Sequence, residues 1–409
     1  MKIVDKSVDI VPGALYEELV GENCVLFVGA GVTTEGSGYY SRPSFYKLIE
    51  QKLKNDHNAG LLPFPDLMQH FCNHIDGGQR NRLIGEAIRR IEAFSVPGEK
   101  QNEATEFARA LAKIPYFNRI VTTNWDPFVE RSLGILIPMI EDRDIPFWDD
   151  GKRQILKIHG CITRPYTLVA TRDDYNLCMK QRPLVFSKLR DLMATKTVIF
   201  AGYSMKDSDF RIVLDEIVRA LGRLRKLAYW VDPNADGEKS VPGETAGIQV
   251  IRTSGVDFLN RLLRKLEQED LVPSRRFLRF LHRERGRIAR IHFELHQDED
   301  GAVASAMYQD GLLHALGDVL TQASLGTKAE DYQGYLGQRE HDLGQMFKKR
   351  NIIEIAYVSG WCEIYRRFCQ RADSAIPPYF HPYKFTPTAR YVKGHRFPAY
   401  RPVTPDKGL

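Results

Sequence analysis

Short apolar runs punctuate the first two thirds of the chain, at 24–28, 118–122, 155–158, 167–170, 197–201, 227–231 and 247–251, set off by Gly, Asp or Asn. Runs such as CVLFV and TVIFA do not alternate apolar with polar positions. They read as strands buried on both faces, the pattern of a parallel sheet between helical layers. Between the first two runs, SFYKLIEQKL, LIGEAIRRIEAF and ATEFARALAKI repeat apolar residues at helical spacing, too much helix for one crossover. Past LVPSRR at 271–276 the pattern is helical without a convincing strand until about 372, and 376–409 interleaves seven prolines with Tyr, Phe and Arg.

The pattern therefore predicts an α/β fold: a Rossmann-like, doubly wound parallel sheet with an inserted helical subdomain, followed by a mostly helical C-terminal domain. The expected divisions are residues 1–270, with the insert at about 44–112, a basic helical domain at 271–372, and an extended arm at 373–409.

Composition narrows the class. A chain of 409 residues that is 43% hydrophobic can bury at least one large core. No apolar run approaches the roughly 20 residues a membrane span needs. The opening MKIVDKSVDIVPG lacks the apolar centre of a signal peptide, so a cytoplasmic location is expected. Six scattered cysteines contain no CxxC pair, which argues against a disulfide framework and a zinc ribbon. Residues 271–409 carry 21 Lys and Arg against 15 Asp and Glu, so the net charge of +6 resides there. Arg275, Arg276, Arg279, Arg283, Arg287 and Arg290 make one side of a helix strongly basic. A solvated or subunit-contact face is the expected role, with direct nucleic-acid binding less favoured.

Four loops follow predicted strands and would meet at the carboxyl edge of such a sheet, where ligands bind near the topological switch point. They are Gly29-Ala30-Gly31, Thr123-Asn124-Trp125-Asp126, His159-Gly160 and Gly202-Tyr203-Ser204. Together they offer a phosphate cradle, an amide, a carboxylate, an imidazole and a hydroxyl. That set suits a dinucleotide whose glycosidic bond is to be broken: nicotinamide departs NAD as a neutral molecule and needs no general acid. Asn124 can orient ribose hydroxyls or a water, Asp126 can bind the carboxamide or balance developing positive charge, and His159 can act as base. The plainer readings are a packing turn for the glycines, a helix cap for Asp126 and a core histidine for His159. His70, Cys72 and His74 lack a further ligand and read as a helix face.

These loops resemble the sirtuin superfamily, in particular its bacterial Sir2-like NADases of anti-phage defence. Gly29–Gly31, Thr122–Asp126, His159–Gly160 and Gly202–Ser204 match its phosphate loop, Thr-x-Asn-x-Asp segment, histidine-glycine and ribose loop in order and rough spacing, over about residues 10–265. The resemblance implies Asn124, His159 and Asp126 as catalytic residues. It implies NAD contacts from Gly29, Ala30, Gly31, Thr123, Gly202, Tyr203 and Ser204, and an adenine-side contact from Asp257. Ser44 in RPSF stands where many sirtuins carry Asp. Protein-deacylating sirtuins insert a four-cysteine zinc module after the histidine, whereas only Cys161 and Cys178 lie in that interval here. No zinc is therefore expected, and water becomes the favoured acceptor. The implied function is an NAD glycohydrolase acting as a toxic defence effector, a homo-oligomer regulated by a HerA-like hexameric ATPase. The alternatives are an NAD-dependent protein deacylase and a non-catalytic NAD- or ADP-ribose-sensing scaffold.

Overall fold

Continuous burial explains the strands. In the computed structural model, every residue of β1 (Cys24–Val28) is buried, and β2 (Arg119–Thr122), β3 (Gln154–Lys157), β4 (Thr197–Ala201), β5 (Ala228–Val231) and β6 (Ile248–Ile251) complete the sheet. The residues described are 11–34, 44–53, 59–74, 79–94, 105–203, 208–233, 248–290, 299–324, 327–349 and 352–369. The arm at 373–409 and Ser204 lie outside them.

Strand order is β3-β2-β1-β4-β5-β6, with neighbours parallel throughout. The chain runs outward from β1 through β2 to β3, then returns to β1's other side with β4. The switch point therefore falls between β1 and β4. Register adds a second constraint, because Val28, Thr122, Lys157 and Ala201 stand in one row across the sheet. Four strands thus end level, and the loops after them emerge side by side.

Helices cover the sheet connections. α1 (Gly13–Val20) precedes β1 and α2 (Gly31–Thr34) follows it. The insert before β2 comprises α3 (Phe45–Lys52), α4 (Phe64–Asn73), α5 (Arg80–Glu92) and α6 (Glu106–Ala112). Ser44 caps α3 by accepting from Lys47 N at 3.2 Å. Ile49, Leu67, Met68, Phe71 and Leu83 of the insert form a small core that also takes in Ala170. α7 (Phe128–Leu133) joins β2 to β3, α8 (Arg172–Gln181) and α9 (Pro183–Thr195) lead to β4, and α10 (Ser208–Leu221) leads to β5.

One strand expectation fails. Residues 168–170 are extended but pair with no strand, after a 3₁₀ turn at Pro165–Thr167. Their apolar side chains are buried as predicted, while side chains rather than a strand satisfy part of the backbone. Arg80 Nη2 donates to Leu168 O at 2.7 Å, and Asp174 Oδ2 accepts from Ala170 N at 3.0 Å.

The chain divides into two compact units after Leu262, inside α11 (Gly255–Gln268), whereas the composition changes at 271. The described elements of the second unit beyond α11 are helical: α12 (Arg275–Ala289), α13 (Glu299–Ser324), α14 (Ala329–Lys349) and α15 (Ile352–Cys369). Leu312, Ala315, Leu316 and Val319 of α13 share a core with Ala356, Cys362 and Tyr365 of α15. Backbones touch where these helices cross, since a Cβ on Gly311 would overlap Tyr357 O and one on Gly360 would overlap Tyr308 O. Among the described residues no helix is long and apolar enough to cross a membrane.

The crossing makes a paired prediction. Gly360→Ala should destabilise by about 1–3 kcal/mol through overpacking. Gly317→Ala, where an added Cβ meets nothing within 4 Å, should stabilise by up to ~1 kcal/mol through helix propensity. Urea midpoints for the two variants, moving in opposite directions, check this.

Candidate active site

At the switch point two glycine turns lock together. Gly29 N donates to Ala201 O at 2.9 Å and Gly31 N to Gly202 O at 2.8 Å. A Cβ on Gly29 would overlap Gly202 O, and one on Gly202, whose φ is +60°, would overlap Val32 N. These glycines are demanded by backbone against backbone, and two of their amides are already committed. Gly29 is buried beneath the turn while Ala30 is exposed at its tip.

The loop after β2 is tied to this turn. Thr122 Oγ1 donates to Val28 O at 2.8 Å and accepts from Asn124 N at 3.0 Å. Asn124 Nδ2 donates to Gly29 O at 3.2 Å. A carbonyl can only accept, so the amide nitrogen must face Gly29 and the amide oxygen must face away. Asn124 Oδ1 is buried and has no hydrogen-bond partner among the described residues. Leaving such an acceptor unmet costs about 1–3 kcal/mol, a cost a substrate hydroxyl would relieve.

Asp126, two residues on, has both oxygens bonded, Oδ1 accepting from Phe128 N at 3.1 Å and Oδ2 from Thr33 Oγ1 at 3.3 Å. Asp126 thus accepts from the first residue of α7 and borders the cavity at once. Burial pushes its carboxyl above the usual range; Lys157 opposes this and the like charge of Glu130 adds to it. Lys157, at the end of β3, is fully buried and donates to Asp126 O at 2.6 Å while pairing with Glu130 Oε1 at 2.9 Å. Burial alone would lower the lysine's pKa, but Glu130, Cys161 and Asp126 raise it overall, which keeps the ammonium charged.

His159 follows β3 by two residues and is 3% exposed. Its ring meets Tyr175 edge-on at 4.9 Å, and its carbonyl accepts from Val169 N at 3.0 Å. Gly160 turns the chain at φ +83°, where a Cβ would overlap Thr167 O. Arg182 clamps both sides of this loop, donating to Ile158 O at 3.1 Å and Thr167 O at 2.5 Å. Arg80 pairs with Asp174, which also accepts from Thr171 N at 2.9 Å.

These loops border a cavity of about 930 Å³, at the upper end of the roughly 300–1,000 Å³ typical of small-molecule sites. Ala30, Gly31, Thr123, Asn124, Asp126, His159, Gly202 and Tyr203 line it together. Gly29 lies behind the lining. Tyr203 also packs its ring on Phe27, with centroids 4.8 Å apart. Asp257 is not among the lining residues; its carboxylate accepts from Thr253 Oγ1 at 2.8 Å and pairs with Arg261 at 2.7 Å. Ser204 lies outside the described residues.

Sequence reasoning missed the opposite wall. The insert supplies Phe45, Phe64, Arg90 and Phe94, and Trp125 meets Phe45 edge-on at 5.6 Å and Phe64 at 6.1 Å. Arg172 also lines the cavity, paired with Asp66 at 2.8 Å. Only Trp125, inside the second loop, carried a local signal. The others sit on helices or, for Phe94, just past the end of α5, where a cavity-facing residue has the same spacing as a core residue. Among the described residues no group of three or more His, Cys, Asp or Glu side chains is placed to hold a metal.

Residues 118–251 match the SIR2-like domain family. The chain is 26% identical over 227 residues to the NAD(+) hydrolase ThsA of Bacillus cereus strain MSX-D12, a match covering 52% of this chain and 44% of that protein. It is 28% identical over 217 residues to the NAD(+) hydrolase ThsA of Cytobacillus dafuensis, covering 51% and 40% respectively. It is also 22% identical over 157 residues to Defense-associated sirtuin 2 of Bacillus subtilis, covering 35% and 16%. The chain therefore spans less than half the length of the curated relatives it matches.

Two stability measurements probe the charges beneath the cavity. Lys157→Met strands Glu130 and should cost roughly 3–5 kcal/mol, while adding Glu130→Gln should recover part of that loss; denaturant titration of both variants reads the coupling. Asp126→Asn tests the raised carboxyl. From the ordinary value of 3.8 up to the folded pKa, the unfolded chain ionises at this position while the folded chain resists, so native stability is lost with rising pH. The melting temperature of Asp126→Asn relative to the native protein should therefore increase as the pH rises above about 4. A constant difference would contradict the assignment.

Proposed function

We propose that this chain, with a SIR2-like domain at its centre, is an NAD glycohydrolase that cleaves NAD to nicotinamide and ADP-ribose. The observation that carries the reading is Asn124. Its amide nitrogen is anchored on the Gly29 carbonyl, its oxygen is a buried acceptor, and it borders the same cavity as His159.

In this reading the pyrophosphate lies across the exposed Ala30 tip. The ribose lies over Asn124, whose oxygen accepts from a ribose hydroxyl or the attacking water. The bond from ribose C1′ to the pyridinium nitrogen breaks, and its electron pair discharges the ring so that neutral nicotinamide departs. Water oxygen bonds to C1′ and its proton passes to the His159 imidazole. Asp126, when ionised, balances the positive charge that develops on the sugar. The aromatic wall of Phe45, Phe64 and Trp125 limits water around the reacting centre.

The names of the relatives support this direction, two being NAD(+) hydrolases and one defence-associated. We extend the proposal to a cytoplasmic anti-phage effector that works as a homo-oligomer and is regulated by assembly with a HerA-like hexameric ATPase. The sequence resemblance alone motivates the oligomer and that partner.

Nicotinamide and ADP-ribose released from NAD are the decisive readout, with the protein alone and with the ATPase. His159→Ala should lower turnover by about 10²–10⁴-fold, and Asn124→Ala by at least about 100-fold. Asn124→Ala should leave the melting temperature nearly unchanged, since it deletes one long hydrogen bond together with an unmet acceptor. Absence of product from the native protein under both conditions, or full turnover in both variants, would overturn the proposal.

A further inference from the structure

Four arginines on or just after α12 are treated differently from those of the other helices in their unit. On α14 and α15, Arg339 pairs with Asp342, Arg366 with Glu340 and Arg367 with Glu363. On and just after α12, Arg279, Arg283, Arg285 and Arg290 are exposed, and their side chains make no ion pair or hydrogen bond among the described residues. The helix's acid, Glu284, is 8% exposed and is taken by Arg287 at 2.6 Å.

Position sharpens the contrast. At about 100° per residue, Arg276, Arg279, Arg283 and Arg290 fall within an arc of about 60°. Phe277, Phe280, Leu281 and Ile288 are buried in the helical core. The stripe runs about 21 Å along the helix, a length over which one strand of a duplex presents about six phosphates. Residues 275–290 contain seven arginines and one acid, a net charge equal to the +6 of the whole chain.

We infer that this stripe is a binding surface for the sugar-phosphate backbone of nucleic acid. Its chemistry disfavours the other takers of positive charge. A membrane-surface helix needs an apolar face free to insert, and the apolar residues of α12 are spent on the core. A protein interface enriches arginine around an apolar, aromatic centre, and besides arginines the exposed positions described on α12 hold only His282 and Ala289. Phosphates match it, because each guanidinium can bond a phosphate bidentately and release condensed counterions. With no side chain committed to base edges, binding is expected to be independent of sequence. The inference does not depend on the NAD reaction.

Fluorescence anisotropy with a labelled 30-bp DNA duplex tests it, using the full chain. Affinity should fall roughly 40- to 150-fold between 50 and 200 mM salt, as three to four neutralised phosphates require. Two unrelated duplexes should bind within about threefold of each other. Arg279→Gln/Arg283→Gln should weaken binding and reduce the salt slope by about 2, with circular dichroism unchanged because both side chains are exposed. A control carrying the same charge change in the first unit, Lys113→Gln/Arg131→Gln, should bind like the native chain. No binding at 50 mM salt, an unchanged slope in the α12 variant, or an equal loss in the control would overturn the inference. Retained affinity for an acidic protein alone would assign the stripe to a protein partner and likewise overturn it.

Discussion

The close approach of two backbone turns, Gly29–Gly31 after β1 and Gly202 after β4, is the constraint on which the site depends. No side chain fits between them, and their amide-to-carbonyl bonds bring the ends of the two switch-point strands together. Because Val28, Thr122, Lys157 and Ala201 share one row, that contact also sets the level at which the loops bearing Asn124 and His159 begin. The same turn then serves as a fixed point, its Gly29 carbonyl orienting the Asn124 amide. A motif usually read as a ligand cradle is thus first a chain-to-chain joint, and Ala30 is the part of it left facing outward.

Beneath the loops lies a second device that works by charge. Lys157 is buried completely, which is tolerable only because Glu130 pairs with it and the Asp126 carbonyl accepts from it. Three elements, β3, the β2 loop and α7, are thereby tied at one ammonium group. On the far side of His159, Arg182 and Arg80 do for irregular backbone what a neighbouring strand would otherwise do, satisfying the carbonyls of Ile158, Thr167 and Leu168. The histidine is consequently held from both directions without belonging to a strand or a helix.

Much of this was legible beforehand. The strands at 24–28 and 197–201 are continuous apolar runs because both their faces are covered, and that signal survives in one sequence. The segment 167–170 misled for the same reason: burial makes a run apolar whether the backbone pairs with a strand or with arginine side chains. The order of the four loops was readable because each directly follows a strand. The aromatic wall was not, since Phe45 and Phe64 reach Trp125 from helices far away along the chain.

By itself the sequence determined which residues stand at strand ends, because apolar runs and the glycines after them are local properties. It also determined that the positive charge gathers in one helix. Only the tertiary structure decided that Gly29 and Gly31 answer to Gly202, that Asn124 turns its oxygen away from Gly29, and that both oxygens of Asp126 are already engaged. It likewise decided that Arg279, Arg283 and Arg285 of α12 stand exposed without carboxylate partners among the described residues. These are facts about which distant groups meet, and pairing across space leaves no period or spacing in a chain.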